Sequence, residues 1–207
     1  MATEEKTYGG KVIGQAFKKE GIEKIFGIHG AINLAVEEAC KQGIKMYHFR
    51  HEQSAGFAAD AYARTLRRPG VCFASTGAGF ANYVSAISQA YRTYSPVLLM
   101  IGQHGVALDK LGATQEAYGT EVFKTITKYT HRCFDWNMNA FWIRKALRDC
   151  MTYPQGPIVL EFPITNLNAK GPNEQQKYIQ KEQVAKLPMS QGDPAEVERA
   201  GSSSYTR

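Results

Sequence analysis

The sequence predicts an α/β domain in which a central parallel sheet of about six strands is flanked by helices. Short apolar runs alternate with longer segments of helical spacing between about residues 8 and 163, as in consecutive strand–helix–strand units. The run 97–101 is apolar at every position, which is typical of a strand buried on both faces. With 207 residues, 43% of them apolar, the chain can form one sizeable core.

Glycine and proline separate the predicted elements. The first helix carries Val12, Ala16 and Phe17 on one face and stops before Gly21, and an alanine-rich helix breaks at Pro69-Gly70. The predicted helices are 11–19, 33–41, 53–66, 79–91 and 139–152. The predicted strands are 24–28, 45–50, 71–75, 97–101 and 158–162.

The composition changes after the last predicted strand. Residues 166–191 are polar, with almost no apolar periodicity, and we assign 1–165 to the folded domain and 166–207 to a polar linker and tail. Asp193-Pro194 has the features of a helix N-cap and first position, so 195–200 is expected to open another helix that ends at Gly201. A domain boundary and a frayed tail explain this ending equally well.

The charge pattern does not favour nucleic acid. The net charge is +6, with 25 basic and 19 acidic residues, but the two signs are interspersed. The densest basic group, Arg64, Arg67 and Arg68, precedes Pro69 and has the pattern of a helix end. No segment has the length and hydropathy of a membrane span, so we expect neither a nucleic-acid nor a membrane partner.

The four cysteines, Cys40, Cys72, Cys133 and Cys150, lie far apart and form no CxxC pair. They show no zinc-ligand spacing, and we expect each to be a small buried apolar residue rather than a metal ligand. Together with an N-terminus that lacks a basic-then-apolar leader, this predicts a reducing, cytoplasmic location.

Four predicted strand-to-helix junctions carry unusual residues, at the edge where open parallel sheets bind ligands. The residues are His29-Gly30, His51-Glu52, Thr76-Gly77-Ala78 with the nearby Asn82, and Gly102-Gln103-His104 with the later Gln115. Each has a simpler explanation when it is taken alone. The sequence GAGFAN at 77–82 lacks the third glycine of a dinucleotide fingerprint, a single histidine is more often structural, and Glu52 suits a helix dipole.

Taken in order, these motifs resemble the pyrimidine-binding N-terminal domain of thiamine-diphosphate-dependent enzymes. The similarity is to the group of acetohydroxyacid synthase, benzaldehyde lyase and 2-hydroxyacyl-CoA lyase, and it spans about residues 8–163. GDPAEVERA at 192–200 is similar to the start of the family's central domain. The motifs are RHEQSAGFAADAYAR at 50–64, FASTGAGFANYVSAISQAYRTYSPVLLMIGQ at 73–103, GATQEAYG at 112–119 and GPIVLEFP at 156–163.

The resemblance implies roles for individual residues. Glu52 matches the glutamate that gives a proton to N1′ of the cofactor's aminopyrimidine, and burial favours the protonated acid that this needs. His29 stands where synthases usually have proline and where benzaldehyde lyase has a proton-relaying histidine. Gln115 matches a glutamine near the cofactor that can donate a hydrogen bond to a carbonyl or alkoxide. Gly30, Thr76, Gly77, Ala78 and Asn82 match positions that approach the pyrimidine ring.

The family's diphosphate motif, GDG with a later asparagine that ligates Mg²⁺, does not occur in this sequence. The resemblance therefore implies that thiamine diphosphate is shared with a separate diphosphate-binding subunit, which also binds the Mg²⁺, in a hetero-oligomer with a dimeric core. We expect no metal site on this chain. The expected activity is carbon–carbon bond cleavage or ligation on 2-oxo acids, aldehydes, ketones or 2-hydroxyacyl-CoA thioesters. An acetolactate-synthase-like subunit and a non-catalytic interaction module are the alternatives.

Overall fold

The computed structural model of the chain describes residues 6–172 and 193–203. Its central element is a six-stranded parallel sheet, which confirms the predicted α/β class. In chain order the strands are Lys6–Tyr8 (β1), Lys24–Gly27 (β2), Lys45–His48 (β3), Gly70–Ala74 (β4), Val97–Gln103 (β5), Thr130–Arg132 (β6), Ile158–Pro163 (β7) and Lys170–Pro172 (β8). The helices are Gly9–Lys19 (α1), Asn33–Lys41 (α2), Glu52–Leu66 (α3), Ala78–Ala81 (α4), Val84–Arg92 (α5), Gly119–Val122 (α6), Asn139–Met151 (α7), Ile164–Asn168 (α8) and Pro194–Ser203 (α9).

The central strands lie in the order β3-β2-β4-β5-β7-β6, with parallel pairing throughout. Side chains alternate between the two faces along each strand. In β5, Leu98 and Met100 pack with α1 and α7, whereas Leu99 and Ile101 pack with α3 and α5. The middle of the sheet is therefore buried on both sides, as its continuous apolar strands require.

Small residues bring α3 close to the sheet. Ala55, Ala59 and Ala63 lie on one face of the helix and are fully buried against the sheet. α3 ends at Leu66, and Arg67 follows in a left-handed conformation with φ of 52°. Arg64 and Arg68 form ion pairs with Asp60 and Glu23, which agrees with the interpretation of this basic group as a helix end.

Several boundaries differ from the predictions. The helix predicted over 79–91 is two helices, α4 and α5, because a turn at Asn82-Tyr83 interrupts it. β3 stops at His48, two residues before the predicted end. α9 continues to Ser203, past the glycine expected to end it, and Asp193 caps it by accepting from the amides of Ala195 and Glu196 at 2.9 and 3.2 Å.

Five short elements have no counterpart in the sequence prediction: β1, α6, β6, α8 and β8. β1 and β8 form a separate antiparallel pair, with Lys6 opposite Pro172 and Tyr8 opposite Lys170. Ordered structure thus continues to residue 172, within the segment assigned to the tail. The domain boundary at 165 stays a prediction, and the remainder of the predicted linker, 173–192, lies outside the described residues.

One cysteine prediction is wrong. Cys72, Cys133 and Cys150 are buried, and burial raises the pKa of the Cys150 thiol to about 12, but Cys40 is exposed. The buried positions of α2 include Ala35, Val36 and Ala39. Cys40 falls next to these on the outer side of the helix, where the sheet does not cover it.

A buried asparagine pair attaches α8 to the body of the domain. Asn139 and Asn166 exchange side-chain hydrogen bonds of 2.7 and 3.0 Å, and Asn139 Nδ2 also donates to the carbonyl of Gly9 at 3.2 Å. Both side chains are almost completely buried, so each depends on the other for its polar partners.

We therefore expect Asn166→Ala to lower the free energy of unfolding by about 1–3 kcal/mol, because it removes both hydrogen bonds of the pair and takes the Asn166 donor away from the buried Oδ1 of Asn139. Urea denaturation of the purified chain measures this loss. Thr93→Ala is the control, because it removes an exposed hydroxyl that bonds Gln89 within one helical turn. Equal midpoints for the two variants would contradict a structural role for the asparagine pair.

In the described part of the chain, no helix combines the length and the apolar character needed to cross a bilayer.

Candidate functional site

The predicted strand-to-helix junctions lie side by side in space. They follow β2, β3, β4 and β5, and these four strands are consecutive neighbours in the sheet order β3-β2-β4-β5. Because all four are parallel, their carboxyl ends open at one edge of the sheet. The topology thus brings together segments from His29 to His104, which are 75 residues apart along the sequence.

Glu52 is fixed by a residue from the third junction. It is the first residue of α3, and it follows the N-cap His51, whose Nδ1 accepts from the amide of Gln53 at 3.3 Å. Its Oε2 accepts from Asn82 Nδ2 at 2.9 Å, and Glu52 itself is half-buried. Asn82 is in position for this contact because it lies in the turn between α4 and α5.

A second contact strengthens the same connection. Gln53 Nε2 donates to Ser85 Oγ at 2.6 Å, so two successive residues of α3 bond to the segment around the start of α5. The other carboxyl oxygen of Glu52 faces a glycine: a Cβ placed on Gly79 would lie 3.7 Å from Oε1. Glu52 therefore has one oxygen held by Asn82 and the other beside a backbone without a side chain.

The glycine turn after β4 contacts the loop that carries Gln115. Gly77 has φ of 58° and ψ of −119°, and a Cβ on it would lie 2.4 Å from the carbonyl oxygen of Gln115. Thr76 Oγ1 donates to Gln103 Oε1 at 2.7 Å and is 3.2 Å from the same Gln115 carbonyl. Gln115 has a left-handed backbone conformation, with φ of 60°, and is exposed.

The first junction is joined to the third through Ser75. Its hydroxyl accepts from the amide of Ala31 at 3.2 Å, and a Cβ on Gly30 would lie 2.3 Å from the Cβ of Ser75. His29 is exposed, and its ring centroid is 5.4 Å from that of His48 at the end of β3. Ala78 is exposed at the start of α4.

The structure thus joins Glu52 to Asn82, joins Thr76 and Gly77 to Gln115, and places His29 beside His48. Two polar residues, Ser75 and Gln103, have structural roles that the sequence analysis did not assign, although Gln103 belongs to the fourth junction. Ser75 directly follows the apolar strand β4, and Gln103 is the last residue of β5; a polar residue at such a position was the available sequence signal. Gln103 is almost fully buried, accepts from Thr76 and donates through Nε2 to the carbonyl of Ala117.

Within the two described ranges, no group of three or more histidine, cysteine, aspartate or glutamate side chains has an arrangement that could hold a metal ion.

Comparison with known proteins matches this chain to one family. The family described as "Thiamine pyrophosphate enzyme, N-terminal TPP binding domain" matches residues 7–122, which include both partners of the Glu52–Asn82 contact. The match also includes the first four central strands in the chain and the junctions that follow them.

Similar proteins are lyases and synthases. The chain is 32% identical to 2-hydroxyacyl-CoA lyase 2 of Danio rerio over 161 residues, which is 77% of this chain and 26% of the relative. It is 31% identical to 2-hydroxyacyl-CoA lyase 1 of Homo sapiens over 201 residues, 97% of this chain and 34% of the relative. It is 30% identical to acetolactate synthase 1, chloroplastic, of Nicotiana tabacum over 165 residues, 79% and 25% of the two chains. The chain spans a quarter to a third of the length of these relatives.

The contact between Gly77 and Gln115 gives a stability prediction. Gly77→Ala is expected to lower the free energy of unfolding by about 1–3 kcal/mol. The new methyl group would clash with the Gln115 carbonyl, and alanine at this positive φ would also strain the backbone. Gly112→Ala is the matched control, since Gly112 also has a positive φ, 72°, but nothing lies within 4 Å of its Cβ position. Chemical denaturation of both variants measures the difference, and a smaller loss at Gly77 than at Gly112 would contradict the close approach.

Proposed function

Because this chain belongs to the family of thiamine pyrophosphate enzymes through their N-terminal TPP-binding domain, we propose that it is the pyrimidine-binding subunit of a split lyase or carboligase. The enzyme would use thiamine diphosphate, the same compound as thiamine pyrophosphate, to break or form carbon–carbon bonds. The Glu52–Asn82 pair at the open edge of the sheet is the observation that carries this proposal. It combines an acid and a fixed orientation with the close approach of the Gly79 backbone.

The residues around this pair suit a flat aminopyrimidine ring. Gly79 places backbone without a side chain beside Glu52 Oε1, and Ala78 adds only a methyl group at the exposed start of α4. Thr76 and Gly77 fix the turn by their contacts with Gln103 and Gln115. When bound, thiamine diphosphate supplies a thiazolium carbon that becomes a nucleophile toward carbonyl carbons after losing its proton. We propose that the turn 76–78, Gly30 and Asn82 form the pyrimidine-binding surface.

Glu52 would act as an acid toward the pyrimidine N1′. Asn82 donates to Oε2, which therefore serves as the acceptor oxygen of the carboxyl group. The proton of the neutral acid is then expected on the other oxygen, Oε1. In the single chain Glu52 is half-buried. A partner domain placed over this edge would remove the remaining water and favour the neutral acid that the reaction needs.

Two further side chains would act on the substrate. Gln115 is exposed on a backbone that Thr76 and Gly77 hold, which suits a hydrogen-bond donor to a substrate carbonyl or alkoxide oxygen. His29 is exposed after β2 and beside His48, which suits a side chain that relays protons to or from a bound substrate. The expected substrates are 2-oxo acids, aldehydes, ketones or 2-hydroxyacyl-CoA thioesters.

The second half of the cofactor site would come from another polypeptide. The chain corresponds to a quarter to a third of its relatives, and we propose that a separate subunit holds the diphosphate and the Mg²⁺ in a hetero-oligomer with a dimeric core. The cytoplasmic location expected from the cysteine pattern stays a prediction.

A second candidate is an acetolactate-synthase-like subunit, which the similarity to the tobacco enzyme supports. The same Glu52 and Gln115 would serve in it. The products of the reconstituted complex distinguish the two activities, because a synthase joins two 2-oxo acids with loss of carbon dioxide, whereas a lyase releases an aldehyde or ketone from a 2-hydroxyacyl compound.

Purification of the tagged chain under native conditions tests the split arrangement. We expect it to bring down a second polypeptide that carries the GDG motif, and the two chains with Mg²⁺ and thiamine diphosphate to show activity that neither has alone. Mass identification of both chains and of the bound cofactor is the measurement. Full activity of the purified chain without a second polypeptide would refute the arrangement.

Glu52→Gln in the reconstituted complex tests the acid. We expect kcat to fall by about 10²- to 10⁴-fold, the typical contribution of a general acid, because an amide cannot give a proton to N1′. The amide keeps the size of the side chain, so the affinity for the cofactor should change much less. Glu37→Gln on the exposed face of α2 is the matched control. Unchanged turnover in the Glu52 variant would remove this residue from the mechanism.

A further inference from the structure

One arginine on the edge strand contacts the loop that presents Gln115. The loop runs from residue 104 to residue 118, between β5 and α6, and Arg132 is the last residue of β6. Arg132 Nη1 and Nη2 each lie 2.7 Å from a different oxygen of Asp109, near the start of the loop. Such a two-point contact fixes direction as well as distance, and both side chains are largely buried, with 15% and 25% exposure.

The same guanidinium group also contacts the end of the loop. Its central carbon is 5.3 Å from the ring centroid of Tyr118 and 5.1 Å from that of Phe134. A guanidinium group that is paired with a carboxylate and lies over aromatic rings is held more rigidly than a lysine ammonium would be. Asp109 and Tyr118 are nine residues apart, so Arg132 connects the two arms of the loop.

On the side of the sheet, Arg132 is anchored by a buried carboxylate. Its Nε is 2.9 Å from Glu161 Oε1 in β7; the pair is an ion pair, and its alignment is not that of a hydrogen bond. Glu161 is fully buried, and this desolvation raises the pKa of its carboxyl group although Arg132 opposes the shift. The other oxygen of Glu161 accepts from the amide of Thr120 at 3.1 Å, directly after the loop.

The interior of the loop is closed by Glu116. Its carboxylate accepts from the amides of Lys110 and Gly112, the second at 2.8 Å, and from the hydroxyl of Tyr118 at 2.6 Å. The Tyr118 hydroxyl, followed by the Lys110 amide, lowers the pKa of Glu116. Tyr118 therefore takes part both in the hydrogen bonds of Glu116 and in the contact with Arg132. Gln115 lies in the stretch of chain, from Lys110 to Tyr118, that these hydrogen bonds close.

We propose that Arg132 is a positioning residue, which holds both arms of the 104–118 loop through Asp109 and Tyr118 and thereby sets the direction of the Gln115 side chain. Thr76 and Gly77 fix only the backbone of Gln115 on its inner side, and Gln103 holds Ala117. The Arg132 contacts restrain the outer part of the loop against the edge of the sheet. The consequence for turnover rests on the proposed function, whereas the restraint of the loop does not.

Two substitutions separate this restraint from folding. Asp109→Asn removes the ionic half of the contact with Arg132 and leaves the Arg132–Glu161 pair in place. Arg132→Lys keeps a cation beside Glu161 but loses the two-point geometry. Deleting the cation is avoided, because it would leave the buried Glu161 carboxylate uncompensated. Glu23→Gln is the control, since it makes the same acid-to-amide change in the exposed ion pair with Arg68, before β2 and far from the loop in sequence.

The first measurement is amide hydrogen exchange on the purified chain. In Asp109→Asn and in Arg132→Lys we expect the amides of Lys110, Gly112 and Glu116 to exchange roughly 10- to 100-fold faster, the change for losing one charge-assisted hydrogen bond. The amides of β5 should keep their rates in both variants. Wild-type exchange throughout the loop in both variants would overturn the proposal, whether or not the chain proves to be part of an enzyme.

The second measurement is steady-state kinetics of the complex reconstituted with its partner. Asp109→Asn should lower kcat by up to about 100-fold, as a misplaced catalytic group does, with little change in KM or in cofactor affinity. In a Gln115→Ala background the same substitution should have almost no further effect, because both act through one side chain. If the fall in kcat of the double variant equalled the product of the falls in the two single variants, Arg132 would not act through Gln115, and the proposal would be overturned. A wild-type complex without cofactor-dependent activity would instead count against the proposed function, and the exchange experiment would still decide the role of Arg132.

Discussion

The candidate site depends on one constraint, the parallel pairing of β3, β2, β4 and β5 as consecutive neighbours. Parallel strands must return through helices on the faces of the sheet, so every strand-to-helix junction opens at the same edge. This places the starts of α3 and α4 side by side and lets Glu52 accept a hydrogen bond from Asn82, thirty residues later in the chain. A shift of one residue in any of these strands would turn its terminal side chain to the opposite face.

The edge is organised by polar residues that end the apolar strands. Ser75 follows β4 and bonds the amide of Ala31 in the first junction, and Gln103 ends β5 and joins Thr76 to the 104–118 loop. Glu161 in β7 pairs with Arg132 and accepts from Thr120, two residues after that loop. Gln103 and Glu161 are buried and Ser75 is partly buried, and each uses its polar groups on a neighbouring segment at this edge. Buried polar groups without partners are costly, so these loops are restrained by the core itself.

In the proposed function, this edge of the sheet supplies one side of a cofactor site. It holds an oriented acid, a glycine turn and an exposed glutamine, and these suit the pyrimidine end of thiamine diphosphate. Glu52 is only half-buried in the single chain, and the relatives of the chain are about three times as long. Both observations are consistent with an edge that is completed by another domain, which would exclude water from the acid and hold the charged end of the cofactor.

The sequence by itself determined the α/β class, the order of the five main strands and five helical segments, and the junctions at which Glu52, Thr76 and Gly77 lie, because these depend on local periodicity and on glycine and proline. It could not show the break at Asn82, the exposure of Cys40 or the short strands β1, β6 and β8, since three-residue elements carry no periodic signal. Which side chains meet was also decided only by the tertiary structure: Asn82 with Glu52, Asn139 with Asn166, and Arg132 with Asp109. These contacts join residues 23 to 30 positions apart, and only the packing of helices and loops on the sheet brings such residues within hydrogen-bonding distance.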